Sequence, residues 1–210
     1  MINHIKYFKL IDNNFNENAK VINKGGYMIK VIAFDFVGVL VNEKDIELSN
    51  IEEKLKRMFG PNLDDSTYLC EAKKLIKNDS NIINITYDLI DKLYKVKDEN
   101  IFKKIKENYN NIKIIIATNH VSFVRKYINK SFNVDYLDDM IISAEINEIK
   151  PNSSFYKYIL NKYKISPCEL LFIDDNNDNI KGAEKIGIKT IKVEKNTDIF
   201  KEINLIIKNL

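Results

Sequence analysis

Apolar residues along this chain alternate between short continuous runs and longer segments with helical spacing. Continuous runs at 31–34, 114–117 and 170–173 are typical of strands buried on both faces of a parallel sheet. The second of these strands is predicted to begin at residue 112, and 188–193 is predicted as a further strand. The segments with apolar residues three and four positions apart predict helices between and after these runs. Strands that alternate with helices predict an α/β fold with one doubly wound parallel sheet.

A small helical insert is predicted between the first and second strands. Its helices are expected at 46–59, 68–76 and 82–94, and the first of them ends at Gly60-Pro61. A fourth helix, marked by Ile101, Ile105 and Tyr109, leads back to the sheet. The insert contains Tyr68, Tyr87 and Tyr94, which are candidates to line a pocket, although tyrosines at helical spacing more often pack against other helices.

Polar side chains follow three of the predicted strands at the point where each strand ends. They are Asp35, the pair Thr118-Asn119 and the pair Asp174-Asp175. In open α/β sheets ligands bind in the crevice at the carboxyl ends of the strands, so these side chains are candidate site residues. The alternatives from the residues alone are a solvated strand-end acid at Asp35 and an ordinary helix cap at Thr118-Asn119.

Other residues add detail to this pattern. Gly38 permits a turn that a residue with a Cβ resists. A helix is predicted from His120 to Ser131, and His120 is interpreted as a helix-start residue because no second His or Cys lies at ligand spacing. Lys150-Pro151 is expected to place Pro in the first turn of another helix, with Lys150 just before it.

The adjacent acids Asp174 and Asp175 suggest a cation. Two carboxylates at a buried strand end repel each other and lose solvation, which a bound cation offsets. Magnesium fits, because it prefers oxygen ligands and is commonly held by one or two carboxylates plus a substrate phosphate. The alternative is a polar turn from strand to helix.

Composition excludes several classes of partner. Thirty-three basic and thirty acidic residues leave a net charge of +3, and no stretch concentrates it, so no nucleic-acid footprint is indicated. No apolar run approaches the ~20 residues that a membrane span requires. Cys70 and Cys168 are isolated, which fits a reducing compartment and predicts a cytoplasmic protein.

The first 27 residues differ from the rest of the chain. They are rich in Asn and Lys and lack the continuous apolar region of a signal peptide. Residues 24–27 can be encoded by a bacterial ribosome-binding sequence just before the Met28 codon. We therefore expect 1–27 to be an extension that is not native, and Met28 to be the true start.

Four motifs in order resemble the haloacid dehalogenase-like (HAD) hydrolase superfamily. They are Phe34-Asp-Phe-Val-Gly-Val-Leu40, the strand ending in Thr118-Asn119, Glu148-Ile-Lys-Pro151, and Phe172-Ile-Asp-Asp-Asn-Asn-Asp-Asn-Ile180. The resemblance covers 28 to about 193, and the last motif is similar to a branch that includes sugar-phosphate phosphatases such as glucose-1-phosphate phosphatase. It implies a core domain at 28–42 and 110–210 and a helical cap at 43–109.

The resemblance implies phosphoryl transfer from a small phosphorylated metabolite. Asp35 would be the nucleophile, forming an aspartyl-phosphate that water hydrolyses. Lys150 would neutralise the charges of the nucleophile and the phosphate. Thr118, the backbone of Asn119 and Lys150 would hold the phosphoryl oxygens.

The resemblance also implies a Mg²⁺ cofactor. Its ligands would be Asp35, the carbonyl oxygen of Val37 and Asp175, with Asp174 beside the ion or linked to it through water.

Val37 departs from the family pattern, in which a second Asp serves as general acid and base. Loss of such a group typically costs about 10²–10⁴-fold in rate. Glu43, Asp45 or a residue of the insert are the candidates to replace it, and the sequence does not decide among them.

Other activities remain open from the sequence. One is a non-catalytic module that binds a phosphometabolite or a partner. A dehalogenase is disfavoured by the paired acids Asp174 and Asp175. An enzyme resembling phosphonoacetaldehyde hydrolase would need a lysine of the insert for a Schiff base, and the candidates are Lys54, Lys56, Lys73 and Lys74.

Overall fold

The computed structural model describes residues 28–60, 64–76 and 81–209. The expectation that 1–27 form an extension therefore lies outside the described residues. The strands are β1 (Val31–Phe34), β2 (Val41–Glu43), β3 (Tyr94–Val96), β4 (Lys113–Thr118), β5 (Asp139–Ile142), β6 (Leu170–Asp174) and β7 (Lys189–Lys192). The helices are α1 (Asn50–Arg57), α2 (Asp65–Leu75), α3 (Ile82–Leu93), α4 (Ile101–Asn108), α5 (Val124–Ser131), α6 (Ser143–Ile146), α7 (Ser153–Tyr163), α8 (Asn177–Glu184) and α9 (Ile199–Lys208).

A five-stranded parallel sheet forms the centre of the fold, in the order β5-β4-β1-β6-β7. Successive residues of β1 point to opposite faces of the sheet. Ile32 and Phe34 pack with α4, α5 and α9, whereas Val31 and Ala33 pack with α7 and α8. The sheet thus has helices on both faces, which confirms the predicted doubly wound α/β fold.

A second, two-stranded sheet was not predicted. β2 and β3 pair antiparallel, with Glu43 opposite Tyr94, and α1–α3 lie between them in the chain. Three-residue strands that are about fifty residues apart leave no periodic pattern to recognise. β5 was also not predicted, although it forms one edge of the main sheet.

The inserted helices α1–α3 pack on the segment that follows β4. The ring of Tyr68 lies 5.8 Å from that of Phe123, and the ring of Phe59 lies 5.2 Å from that of His120, between centroids. The backbone N–H of Ser122 donates to Asp65 Oδ1 at 2.8 Å. The insert is therefore held against the carboxyl end of the sheet by both apolar and polar contacts.

Two predicted helix starts were wrong. α5 begins at Val124, because His120 is buried in the preceding turn and its N–H donates to Ser143 Oγ. α7 begins at Ser153 after the N-cap Asn152, so Pro151 precedes the helix and is not part of its first turn. The described helices include none that is long and apolar enough to cross a membrane.

Candidate functional site

The carboxyl ends of β1 and β6 place two carboxylates side by side. Phe34 pairs with Ile173 in the parallel register, so the next residues, Asp35 and Asp174, are level. The N–H of Asp35 donates to the Ile173 carbonyl at 2.8 Å, which continues the ladder to the nucleophile candidate. Both side chains are buried. Thr118 is also buried, at the carboxyl end of the neighbouring β4.

Lys150 bridges these two carboxylates. Its Nζ lies 2.8 Å from Asp35 Oδ1 and 2.7 Å from Asp174 Oδ2, and its side chain is 1% exposed. Burial alone would lower the pKa of Lys150, but the charges of Asp35 and Asp174 outweigh it and raise this pKa. The lysine is therefore a fixed positive charge at the strand ends.

Asn119 fixes the backbone of Lys150. Its Nδ2 donates to the Lys150 carbonyl and its Oδ1 accepts from the Lys150 N–H, both at 2.9 Å. This pair of hydrogen bonds connects the end of β4 to the loop before α7. The sequence suggested a phosphate-binding backbone at Asn119, and it gave no signal for this second role of the side chain.

Asp174 is held by several donors. Lys150 Nζ, the N–H of Asn176 at 2.7 Å and the side-chain amide of Asn179 at 3.1 and 3.2 Å all donate to its carboxylate. A carboxylate has about four lone-pair sites, so these bonds largely fill them. Burial, the largest cause, raises the pKa of Asp174. Asn179 was not singled out from the sequence.

Asp175 is more exposed and packs against Gly38. Gly38 has φ +84°, and a Cβ at this position would overlap the Asp175 carboxylate. The turn after β1 therefore needs glycine both for its left-handed backbone and for the space that it leaves. Burial and the charge of Asp174 raise the pKa of Asp175. Lys97 Nζ donates to the Gly38 carbonyl on the same turn.

We call Asp35, Lys150, Asp174 and Asp175 the strand-end cluster. One carboxylate oxygen from each of the three acids lies within 4.8 Å of the others. Oxygens on opposite sides of one Mg²⁺ lie about 4.2 Å apart, since each Mg–O bond is about 2.1 Å. Three carboxylates and one ammonium leave two negative charges. In geometry and in charge, the cluster fits one divalent cation after a small side-chain adjustment.

A cavity of about 380 Å³ opens beside the strand-end cluster, under the insert. Val37 and Asn119 lie on its core side, and Phe59 and Lys56 reach it from α1 and the residues just after it. Of Tyr68, Tyr87 and Tyr94, only Tyr94 is among the residues that line this cavity. Tyr68 is fully buried and hydrogen-bonded to Thr86, and the ring of Tyr87 packs against that of Phe123. A larger cavity, of about 470 Å³, lies elsewhere, and none of the predicted site residues lines it.

Part of this cavity's lining, which we call the cavity wall, comprises Glu43, Lys56, Tyr94 and His120. Lys56 Nζ donates to Glu43 Oε2 at 2.6 Å. His120 Nδ1 lies 3.1 Å from the Val121 carbonyl and so carries the proton, which leaves Nε2 to accept from the Tyr94 hydroxyl at 3.0 Å.

Burial governs the protonation of the two inner wall residues. It lowers the pKa of His120 to about 4, so the imidazole is neutral near pH 7. Burial, followed by the charges of Glu43 and Asp35, raises the pKa of Tyr94. The sequence predicted no contact between His120 and Tyr94, which are 26 positions apart.

Known proteins share parts of this sequence. A D-ribitol-5-phosphate phosphatase from Bacteroides thetaiotaomicron is 27% identical over 75 residues, 36% of this chain and 36% of that protein. The chain spans 36% or less of the length of the curated relatives that match over such short stretches. Pyrophosphatase PpaX from Bacillus mycoides is 22% identical over 182 residues, which cover 79% of this chain and 83% of the relative.

Solved structures share the fold. A HAD family enzyme from Bacteroides thetaiotaomicron, in complex with magnesium and inorganic phosphate, superimposes with a TM-score of 0.63 and 18% identity. The superposition covers 83% of this chain and 98% of that one. The family model for haloacid dehalogenase-like hydrolases matches residues 32–193, which contain the strand-end cluster and the insert. The chain belongs to the haloacid dehalogenase-like hydrolase family.

Proposed function

We propose that this chain is a Mg²⁺-dependent phosphatase that hydrolyses a small phosphomonoester, such as a sugar phosphate, through an aspartyl-phosphate on Asp35. The observation that carries the proposal is the strand-end cluster, in which Lys150 contacts Asp35 and Asp174 while Asp175 lies beside them. Phosphatases among the sequence relatives and the magnesium and phosphate in a related structure support the same reaction class.

In this proposal Asp35 attacks phosphorus, and the bond to the leaving oxygen breaks. Lys150 holds Asp35 in place and offsets negative charge on the phosphoryl group as the reaction proceeds. Thr118 and the backbone of Asn119, at the adjacent strand end, hold the phosphoryl oxygens. Water then hydrolyses the aspartyl-phosphate and releases phosphate.

Asp35, Asp175 and the Val37 carbonyl would hold the Mg²⁺ ion directly. Because Asp174 already accepts from Lys150, Asn176 and Asn179, we assign it a contact through water. A bound Mg²⁺ supplies positive charge that neutralises the phosphoryl oxygens.

The inserted helices would act as a cap that closes over the cavity and excludes water. Their packing on the segment after β4 supports this role. The substrate would be a small phosphorylated metabolite that extends from the strand-end cluster into the cavity, in a cytoplasmic protein.

A second candidate function is phosphometabolite binding without turnover, and Val37 is the observation that favours it. A dehalogenase is disfavoured because its chemistry leaves the Asp174-Asp175 pair unused. For a Schiff-base enzyme, Lys56 is the one of the four candidate lysines that reaches the cavity, and its ammonium is bonded to Glu43.

The test is phosphate release from sugar phosphates, acyl phosphates and p-nitrophenyl phosphate, with and without Mg²⁺. We expect turnover that requires Mg²⁺ and that falls by about 10⁴-fold or more in Asp35→Asn. Asp135→Asn, at an exposed acid between α5 and β5, is the matched control. A silent wild type with an active Val37→Asp variant would contradict the proposal and favour the binding module.

A further inference from the structure

We propose that Glu43, positioned by Lys56, serves as the general acid and base. Val37 cannot fill this role, although it occupies the position at which the family pattern has a second Asp. This inference rests on the proposed phosphatase function. It assigns general acid–base catalysis to a carboxylate of the cavity wall, eight residues beyond the nucleophile and on a different strand.

The path of the chain brings Glu43 to the site. Val37 and Val41 form a β-bridge, and the Gly38 N–H donates to the Val41 carbonyl at 2.8 Å. β2 then runs from Val41 to Glu43, so a short, hydrogen-bonded segment links the turn after Asp35 to Glu43. Glu43 and Val37 line the same cavity of about 380 Å³.

Glu43 is paired with a proton donor and is open to substrate. The Lys56 ammonium donates to it at 2.6 Å, and the two side chains are 42% and 29% exposed, Glu43 being the more open. The pair as a whole can therefore release one proton and take one back. Glu53 also lines the cavity, but it has no ion-pair partner among the described residues.

The other titratable groups of the cavity wall do not fit this role. His120 is neutral near pH 7 because its pKa is lowered to about 4, and both ring nitrogens already have hydrogen-bond partners. Tyr94 keeps its proton because burial and the charges of Glu43 and Asp35 raise its pKa.

The proton balance of the two half-reactions is closed. In the first, the bond between Asp35 and phosphorus forms, the bond to the leaving oxygen breaks, and a proton passes from Lys56 through Glu43 to that oxygen. In the second, water attacks phosphorus, the bond to Asp35 breaks, and the water proton returns through Glu43 to Lys56. Phosphate leaves, and the pair regains its starting state.

The experiment compares two substrates of similar shape, phenyl phosphate and p-nitrophenyl phosphate, with Mg²⁺ present. Phenolate is a poor leaving group and needs a proton as its bond to phosphorus breaks. In contrast, p-nitrophenolate leaves as a stable anion. In Glu43→Gln we expect kcat/KM to fall by about 10²-fold for phenyl phosphate and to change little for p-nitrophenyl phosphate. Adding Val37→Asp to Glu43→Gln should restore turnover of phenyl phosphate.

Lys56→Met provides a second test on an exposed helix, and it should show the same dependence on leaving group to a smaller degree. Glu47→Gln, the same change at an exposed acid that does not line the cavity, is the control and should change neither substrate. An equal loss for both substrates, or no loss for phenyl phosphate, would overturn the assignment while leaving the phosphatase intact. Failure of the wild type to hydrolyse even p-nitrophenyl phosphate would instead overturn the proposed function and this assignment with it.

Discussion

The strand-end cluster and the cavity wall lie side by side, but they are built differently. The cluster comes from the ends of the neighbouring strands β1 and β6 and from the loop before α7, and Lys150 and Asp174 are 1% and 0% exposed. The wall comes from β2, β3, α1 and the turn after β4, and its ion pair is partly open to solvent. A buried ion network fixes one geometry, whereas an exposed pair can adapt to a substrate. The sheet therefore fixes the geometry of the strand-end cluster, whereas the ion pair of the cavity wall is free to adjust.

The largest difference between the two regions should appear in stability when Lys150 is removed. Lys150→Met leaves two buried carboxylates without their partner, and we expect a loss of about 3–5 kcal/mol in the free energy of unfolding. Urea denaturation measures it. Lys30→Met, which breaks the ion pair of the exposed Lys30 with Glu169, is the matched control and should cost at most about 1 kcal/mol.

Added Mg²⁺ should recover part of the loss in Lys150→Met, because a divalent cation offsets the same charges. Equal destabilisation by Lys150→Met and Lys30→Met would show that the cluster is not the coupled network described above.

The cavity wall should give the next largest effect, as a dependence of stability on pH. The pKa of His120 in the folded protein, about 4, is below its ordinary value of 6.5, so the folded state binds fewer protons. The contribution of the neutral His120 to the free energy of unfolding is complete above pH 6.5. About 3 kcal/mol of it is lost as the pH falls towards 4. His120→Gln removes this part of the slope.

The measurement is urea denaturation of wild type and His120→Gln at several pH values from 4 to 7. Subtracting the two curves cancels the titration of the carboxylates common to both proteins. Parallel curves would mean that His120 is not held neutral at the wall.

A substitution in the turn that joins the two regions should have a smaller effect on stability, and it should also weaken Mg²⁺ binding. Gly38→Ala places a methyl group against Asp175 and forces φ +84° on alanine, at a cost of about 1–2 kcal/mol. We expect Mg²⁺ affinity to fall about 10-fold or more, as measured by calorimetric titration.

Gly60→Ala is the control for this glycine, because no described atom lies within 4 Å of the added Cβ. Unchanged Mg²⁺ affinity in Gly38→Ala would contradict direct binding by Asp175.

The same contrast explains what could be read from the sequence. The strands β1, β4 and β6 have continuous apolar runs, and a parallel sheet necessarily gathers their polar ends. Hence Asp35, Thr118 and Asp174 could be placed together before the structure was known. Lys150 could be placed with them only through its motif, because no periodic pattern points a loop lysine inward.

The cavity wall could not be predicted in this way. Glu43 and Tyr94 meet because β2 and β3 pair across the whole insert, and neither strand is long enough to show alternation. His120 was expected at a helix start, yet its contacts with Ser143 and Tyr94 come from distant segments. Long-range pairing of short elements leaves little trace in a local pattern.

The most direct test of the phosphatase account is to trap the intermediate. Wild-type protein is mixed with Mg²⁺ and acetyl phosphate or p-nitrophenyl phosphate, quenched in acid within milliseconds, digested and analysed by mass spectrometry. The account predicts one phosphoryl group on the peptide that contains Asp35, absent without Mg²⁺ and absent in Asp35→Asn. Phosphate release with no phosphoryl group on Asp35, or with the group on another residue, would contradict it.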